Sequence, residues 1–305
     1  MTGPGVRRRR VLGSVALALA GAGVAGGGVL WRWTEADGES VPRTDATTPA
    51  PRTPTPSPTP DYLGAARSRV AAYLTETGGR ITVAVQDRLT DLELAVGTRR
   101  FATASIVKVD ILAAVLLRAQ QRRRSISSAD RQRARKMITI SDNDSATALF
   151  GTAGGVDGLN TANRTFGLRE TKPSVHWGMS TTTASDQIRL LTAITAEDGP
   201  LTAQNRELIF DLMSEVVEEQ DWGITAAAGP QTTERYVKNG WVPIDADAGR
   251  WEVNSIGRLV EPGHDWLVAV LSDHHKTQAA GVQMVEKVAK YTLNQLRAVP
   301  PVTVP

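Results

Sequence analysis

The chain has 305 residues, 41% hydrophobic and 22% charged, which suits one sizeable globular domain with extensions and excludes a fibrous or wholly disordered chain. The formal net charge is +3 and the sequence pI about 9.3, but Arg7–Arg10 alone carry four positive charges. The remainder therefore sums to −1, which leaves no basic excess for a nucleic-acid partner. Cysteine is absent, so disulfides and thiol-linked lipid anchors are excluded.

The first 33 residues read as a targeting segment. Arg7–Arg10 precede the uncharged stretch Val11 to Trp31, long enough to span a bilayer, with Trp31, Arg32 and Trp33 as interfacial anchors. The arginines are expected to stay cytoplasmic and the rest of the chain to lie outside as a single-pass membrane protein. The alternatives are a cleaved signal peptide and a twin-arginine export signal. Residues 34–60 contain PRTDATTPAPRTPTPSPTP, a Pro/Thr-rich spacer that cannot bury a core. The domain proper is expected over 61–298, with a frayed tail at 299–305.

Within the domain, a helical pattern over Ala65–Leu74 ends at Gly78-Gly79. Arg80–Gln86 and Leu92–Val96 read as two strands joined by a turn within Asp87–Asp91. A mainly helical middle follows, with helices from Ile106 to Leu117, around Ala129–Ile138, over Ser145–Phe150 and over Thr183–Thr195. Arg122–Arg124 read as a solvated helix end. Strands return at Arg235–Val242, Trp251–Val260 and Trp266–Leu271, and Gly281–Leu296 closes the chain as an amphipathic helix. Late strands joined by short turns imply an α/β (α+β) fold with an antiparallel sheet, since a parallel sheet would need helices between them.

Lys108 breaks the apolar run from Ile106 to Leu117, one turn after Ser105. A buried ammonium is costly unless it is paired or its pKa falls. Asp110, the nearest acid in sequence, points to another side of the helix. Either Lys108 snorkels to water, as lysines commonly do, or the fold has a use for it beside Ser105. A serine nucleophile needs a base, and desolvation brings lysine into the useful range. Two further motifs follow in order. Ser141-Asp142-Asn143 lies in a loop before a helix, and Lys238-Asn239-Gly240 lies inside a strand.

S-x-x-K, S-D-N and K-x-G in this order resemble the class A β-lactamase and penicillin-binding (D-alanyl-D-alanine peptidase-like) serine hydrolases. The resemblance covers roughly Asp61 to Leu296. It extends to the Thr181-Thr182-Thr183-Ala184-Ser185-Asp186 segment that opens a helix. It implies an antiparallel sheet packed by the first and last helices beside a helical subdomain. It also implies Ser105 as nucleophile, Lys108 as base and Ser141 as proton relay. Asn143 would hold the substrate amide and Lys108, and Lys238 would attract the substrate carboxylate. Asn239 and Gly240 would border the substrate, and the N–H groups of Ser105 and Trp241 would form the oxyanion hole. No cofactor or metal is implied; the ligand is a β-lactam or cell-wall peptide, and the protein a monomer.

Three departures bear on activity. Asn239 stands where the family has a hydroxyl. The Ser105–Ser141 interval is short. The stretch from Gly167 to Ser180, GLRETKPSVHWGMS, lacks the E-x-x-L-N whose glutamate activates the deacylating water in class A enzymes. Glu170 is its sole acid and does not match that position, so it reads as a surface charge, and His176 carries no assigned role. Asp273-His274-His275 reads as a turn rather than a metal site. Trp177, Trp222, Trp241 and Trp251 read as packing residues. The expected phenotype is acylation with slow deacylation, as against a D-alanyl-D-alanine peptidase-like enzyme or a non-catalytic module that binds cell-wall peptides.

Overall fold

The computed structural model describes residues 61–300, apart from 79 and 91. The membrane segment, the Pro/Thr spacer, the last five residues and the expected turn at Asp91 lie outside the described residues. Among the described residues, no helix is long and apolar enough to cross a membrane.

Helix α1 (Tyr62–Glu76) leads into strands β1 (Ile81–Asp87) and β2 (Glu93–Val96). The short strand β3 (Phe101–Ala102) and a 3₁₀ turn (Ala104–Ile106) precede helix α2 (Val107–Gln121). Helices α3 (Ser128–Thr139), α4 (Asn143–Ala153) and α5 (Gly155–Thr165) follow. A loop with a 3₁₀ turn (Trp177–Met179) leads to β4 (Thr181–Thr182), α6 (Ala184–Thr195) and α7 (Ala203–Ser214). Strands β5 (Glu234–Ile244), β6 (Arg250–Glu261) and β7 (His264–His275) and helix α8 (Gln278–Arg297) complete the domain.

The sheet is antiparallel throughout, in the order β2-β1-β7-β6-β5. Its central strand β7 is apolar on both faces, and the period of two sorts its residues into two cores. Leu267, Ala269 and Leu271 face α2, α4 and α6, while Trp266, Val268 and Val270 face α1 and α8. Tyr73 of α1 and Tyr291 of α8 stack with ring centroids 4.2 Å apart, tying the two terminal helices together.

The structure departs from the sequence reading in three places. Asp273-His274-His275 is the end of β7 rather than a turn, because Trp251 on β6 pairs with His275 past a bulge. His274 Nδ1 bonds the Asp247 carboxylate at 2.7 Å and His275 Nε2 meets Ser272 Oγ at 2.9 Å. No group of three metal-type side chains is assembled among the described residues. Helices α5 and α7 were not among the expected helices. The α5 sequence GVDGLNTANRT has two glycines, and the burial of Leu159 and Ala162, three residues apart on one face, holds it against the core.

Asp110 is buried on α2 beside Asn163 of α5, and no basic side chain pairs with it. Burial pushes its carboxyl up to about 7, and the Asp186 charge adds to the rise. The folded protein thus keeps a proton that an unfolded aspartic acid releases near pH 3.9, so stability falls as pH rises from about 4 to about 7. Asp110→Asn should flatten this slope, gaining up to about 3–4 kcal/mol over wild type between pH 4 and 8. Denaturant unfolding at several pH values reads the difference. Glu252, raised to about 8 by burial, is present in both proteins and cancels.

Candidate active site

Two backbone strains frame the site. Ala104, immediately before Ser105, has φ +46°, and Ser141 has φ +58°. Non-glycine residues there cost of order 1–3 kcal/mol and persist only when their surroundings hold them. At Ala104 that hold comes from Asn254, fully buried on β6. Its amide donates to the Ala102 and Thr103 carbonyls at 2.8 and 3.3 Å, while its Oδ1 accepts from the Ser272 N–H at 3.2 Å. Three strands thus fix the chain entering Ser105.

Lys108 lies three residues after Ser105, where side chains in a 3₁₀ turn stack over one another. It has no exposed surface. Its three N–H bonds go to the Ser141 carbonyl (2.6 Å), Ser141 Oγ (3.0 Å) and Asn143 Oδ1 (2.8 Å). No carboxylate completes the niche: Asp142 turns outward and caps α4 by accepting from the Ser145 N–H. Burial therefore pulls Lys108 down to about 8, opposed by the Asp142 charge.

Lys238 approaches the same serine from β5. It is fully buried and donates to Ser141 Oγ at 3.1 Å and to the Asn239 carbonyl at 3.0 Å. Burial, then the Lys108 charge, hold it well below the usual lysine range. Ser141 Oγ thus bridges two lysines that each disfavour the other's charge. A neutral amine, a hydroxyl and an ammonium in line can pass protons without moving heavy atoms.

Gly240 brings β5 against the turn that carries Ser105. A Cβ there would lie 2.7 Å from the Ser105 nitrogen, 2.8 Å from the Ile106 nitrogen and 2.8 Å from the Thr103 carbonyl oxygen. The strand can approach this closely only with a residue that lacks Cβ. Trp241 follows, its ring 5.7 Å from that of Trp222 and packed on the terminal-helix core, as is Trp251.

The structure brings Ser105, Lys108, Ser141, Asn143, Lys238, Gly240 and Trp241 to one place. Asn239 is turned elsewhere. Its two amide N–H bonds are spent on the Gln220 and Trp222 carbonyls at 2.7 and 3.0 Å, stapling the 218–227 loop to β5. Glu170 stands apart from the site, its carboxylate paired with Arg100 at 3.0 Å on an exposed surface. His176 is exposed. The loop carrying both is held by buried Asp186, which accepts from the Arg169, Glu170 and Thr171 N–H groups and from Arg189.

Sequence reasoning missed Asn254 and the part played by Trp177. Asn254 was signalled by a polar residue inside the apolar run of β6. Trp177 gave no signal beyond its type, because only the folded loop places its ring 5.0 Å from Lys108 Nζ.

The model of the beta-lactamase enzyme family matches residues 130–296. Among solved structures, PBP-A is 19% identical, covering 78% of this chain and 97% of its own, with a TM-score of 0.66. A class A beta-lactamase from Bacteroides cellulosilyticus DSM 14838 is 15% identical over 79% of this chain and all of its own, with a TM-score of 0.66. The TLA-1 extended-spectrum beta-lactamase is 17% identical over 77% and 99%, with a TM-score of 0.67. A mutant of PBP-A is known as an acyl-enzyme complex with penicillin G. No curated protein matches the chain. These likenesses carry the mixed fold with its antiparallel sheet.

Gly240→Ala tests the close approach. The added methyl meets three backbone atoms, none of which can rotate away, so the turn must shift. The variant should lose about 1–3 kcal/mol of stability, read from a denaturant melt beside wild type.

Proposed function

Because the chain belongs to the beta-lactamase enzyme family, we propose that this serine hydrolase forms an acyl-enzyme on Ser105 with β-lactams or cell-wall peptides and releases it slowly. The observation that carries the reading is Lys108, a fully buried lysine three residues after Ser105 whose amine bonds the Ser141 hydroxyl. Neutral Lys108 takes the Ser105 hydroxyl proton as Oγ attacks the amide carbonyl. The oxyanion develops against the Ser105 and Trp241 N–H groups. The proton then passes through Ser141, set between Lys108 and Lys238, to the leaving nitrogen. Lys238 attracts the substrate carboxylate and Asn143 holds the substrate amide.

Hydrolysis of the ester needs a second base placed over the acyl carbonyl. Glu170 is spent on Arg100 at the surface, so that step lacks the loop carboxylate. Export belongs to the same proposal: Val11–Trp31 would anchor the chain and the Pro/Thr tract would hold the domain outside the membrane. A second reading has its own support. With both donors of Asn239 committed to backbone, carboxylate binding rests on Lys238, which suits a module that binds cell-wall peptides without turnover.

The experiment is intact mass after incubation with penicillin. One adduct should form, mapping to Ser105 and absent from Ser105→Ala; an adduct on another serine would refute the assignment. Lys108→Ala should slow acylation by about two to four orders of magnitude, the usual worth of a positioned base. The wild-type acylation rate should climb about tenfold per pH unit below pH 8 and level off above, since only the neutral amine accepts the proton.

Turnover gives a separate check. Without the loop carboxylate, deacylation should be slower by roughly 10²–10⁴-fold, about 3–5 kcal/mol of barrier, than in an enzyme that has one. A chromogenic cephalosporin should therefore give a burst equal to the enzyme concentration and then a slow steady state. Rapid multiple turnover would show that another group handles the water.

A further inference from the structure

The half-buried Trp177 ring lies over the Lys108 amine, on a side not taken by Ser141 and Asn143. The ring centroid lies 5.0 Å from Nζ, and the indole is held from several directions. Its Nε1–H donates to Thr147 Oγ1 at 3.1 Å, on the helix that also carries Asn143. Its backbone neighbours are tied to the segment entering Ser105: the Thr103 N–H donates to the Ser180 carbonyl at 2.7 Å and Thr103 Oγ1 to the Gly178 carbonyl at 3.4 Å. The loop behind it hangs on the buried Asp186 carboxylate. The ring is also packed against the core that contains α2.

Lys108 in this niche has no exposed surface, and its Nζ contacts are the Ser141 carbonyl, Ser141 Oγ and Asn143 Oδ1. Hydrolysis of an ester on Ser105 requires a water within about 2.6–3.2 Å of a base and in line with the ester carbonyl. The water oxygen must bond to the carbonyl carbon while its proton passes to the base. The bond from that carbon to Ser105 Oγ then breaks, and Oγ recovers the proton. Lys108 is the base the proposed function assigns to Ser105, and an apolar ring that offers water no acceptor lies 5.0 Å from its Nζ.

We infer that Trp177 sets the lifetime of the acyl-enzyme, acting as a fixed apolar cap that keeps hydrolytic water from Lys108 and from the ester. Trp177 is a positioning residue: it takes no proton and acts through Lys108. The inference deepens the proposed acyl-transfer reading and rests on acylation at Ser105. It differs from the missing loop carboxylate as a cause of slow turnover. A missing base predicts that opening the site gains nothing, whereas a cap predicts that opening it speeds hydrolysis.

Trp177→Ala leaves a space of several waters, and Trp177→Phe keeps an apolar face while giving up the bond to Thr147. After penicillin labelling and removal of free drug, the Ala variant should shed its adduct about 10–100-fold faster than wild type by intact mass, and the Phe variant within about threefold of it. Because water re-enters the niche, the pH midpoint of acylation should move upward from about 8 in the Ala variant. A purely structural role would change rates without moving that midpoint. An Ala variant that acylates and deacylates at wild-type rates with an unmoved midpoint overturns the inference.

Failure of the parent reading shows itself differently, as absence of any Ser105 adduct in wild type. The cap is then judged by labelling Lys108 with a small amine-reactive reagent, read by peptide mass spectrometry. A rise of about tenfold or more in Trp177→Ala upholds the shield, and an unchanged rate overturns it. Should Trp177→Ala fail to fold, Thr147→Val frees the indole without removing it. That variant should shed the adduct about 3–10-fold faster, and a wild-type rate counts against the inference.

Discussion

Everything at this site depends on burying the Lys108 ammonium in a niche that holds no carboxylate. A charge taken out of water without a counter-ion either loses its proton or is compensated by dipoles. Here dipoles do part of the work. The Ser141 carbonyl, Ser141 hydroxyl and Asn143 amide oxygen each accept from Nζ, which leaves the amine poised near the pH at which it must act. Those three acceptors explain why the loop before α4 is bent into the left-handed region at Ser141. An extended residue there could not present both its carbonyl and its hydroxyl to one nitrogen.

The sheet exists, for this chemistry, to hold three segments against that lysine. β5 delivers Lys238 and the Cβ-free Gly240, and β6 delivers Asn254 to the chain entering Ser105. β7, at the centre, is apolar on both faces and gives the whole assembly a rigid floor. Asp186 does for the 167–180 loop what Asn254 does for the nucleophile turn: one buried polar side chain converts a segment without regular structure into a fixed wall. Asn239 holds the 218–227 loop to β5, its two amide donors bonded to the Gln220 and Trp222 carbonyls.

Much of this was legible in the sequence because the three motifs are local patterns whose spacing carries chemistry. A lysine inside an apolar run, a serine one turn before it and a glycine after a strand lysine each have few other reasons to occur together. The short turns between the late strands implied the antiparallel sheet, and the last helix carried its own amphipathic signal. What escaped was set by tertiary contact. β7 runs four residues past Leu271, the end of its apolar stretch, because β6 bulges to meet it, and the direction of Asn239 depends on the carbonyls of Gln220 and Trp222. Trp177 read as packing, and it does pack; that it packs on Lys108 follows from a loop shortened to fourteen residues between Gly167 and Ser180.

The measurement that tests this account most directly is a titration of Lys108 in the unliganded protein, by NMR of a lysine side-chain label assigned with Lys108→Arg. The account predicts a midpoint near 8, because burial without a carboxylate disfavours the charged form. A midpoint near the ordinary lysine value, about 10.4, would mean that the ammonium is solvated or paired after all. The base assigned to Ser105 would then be the wrong one.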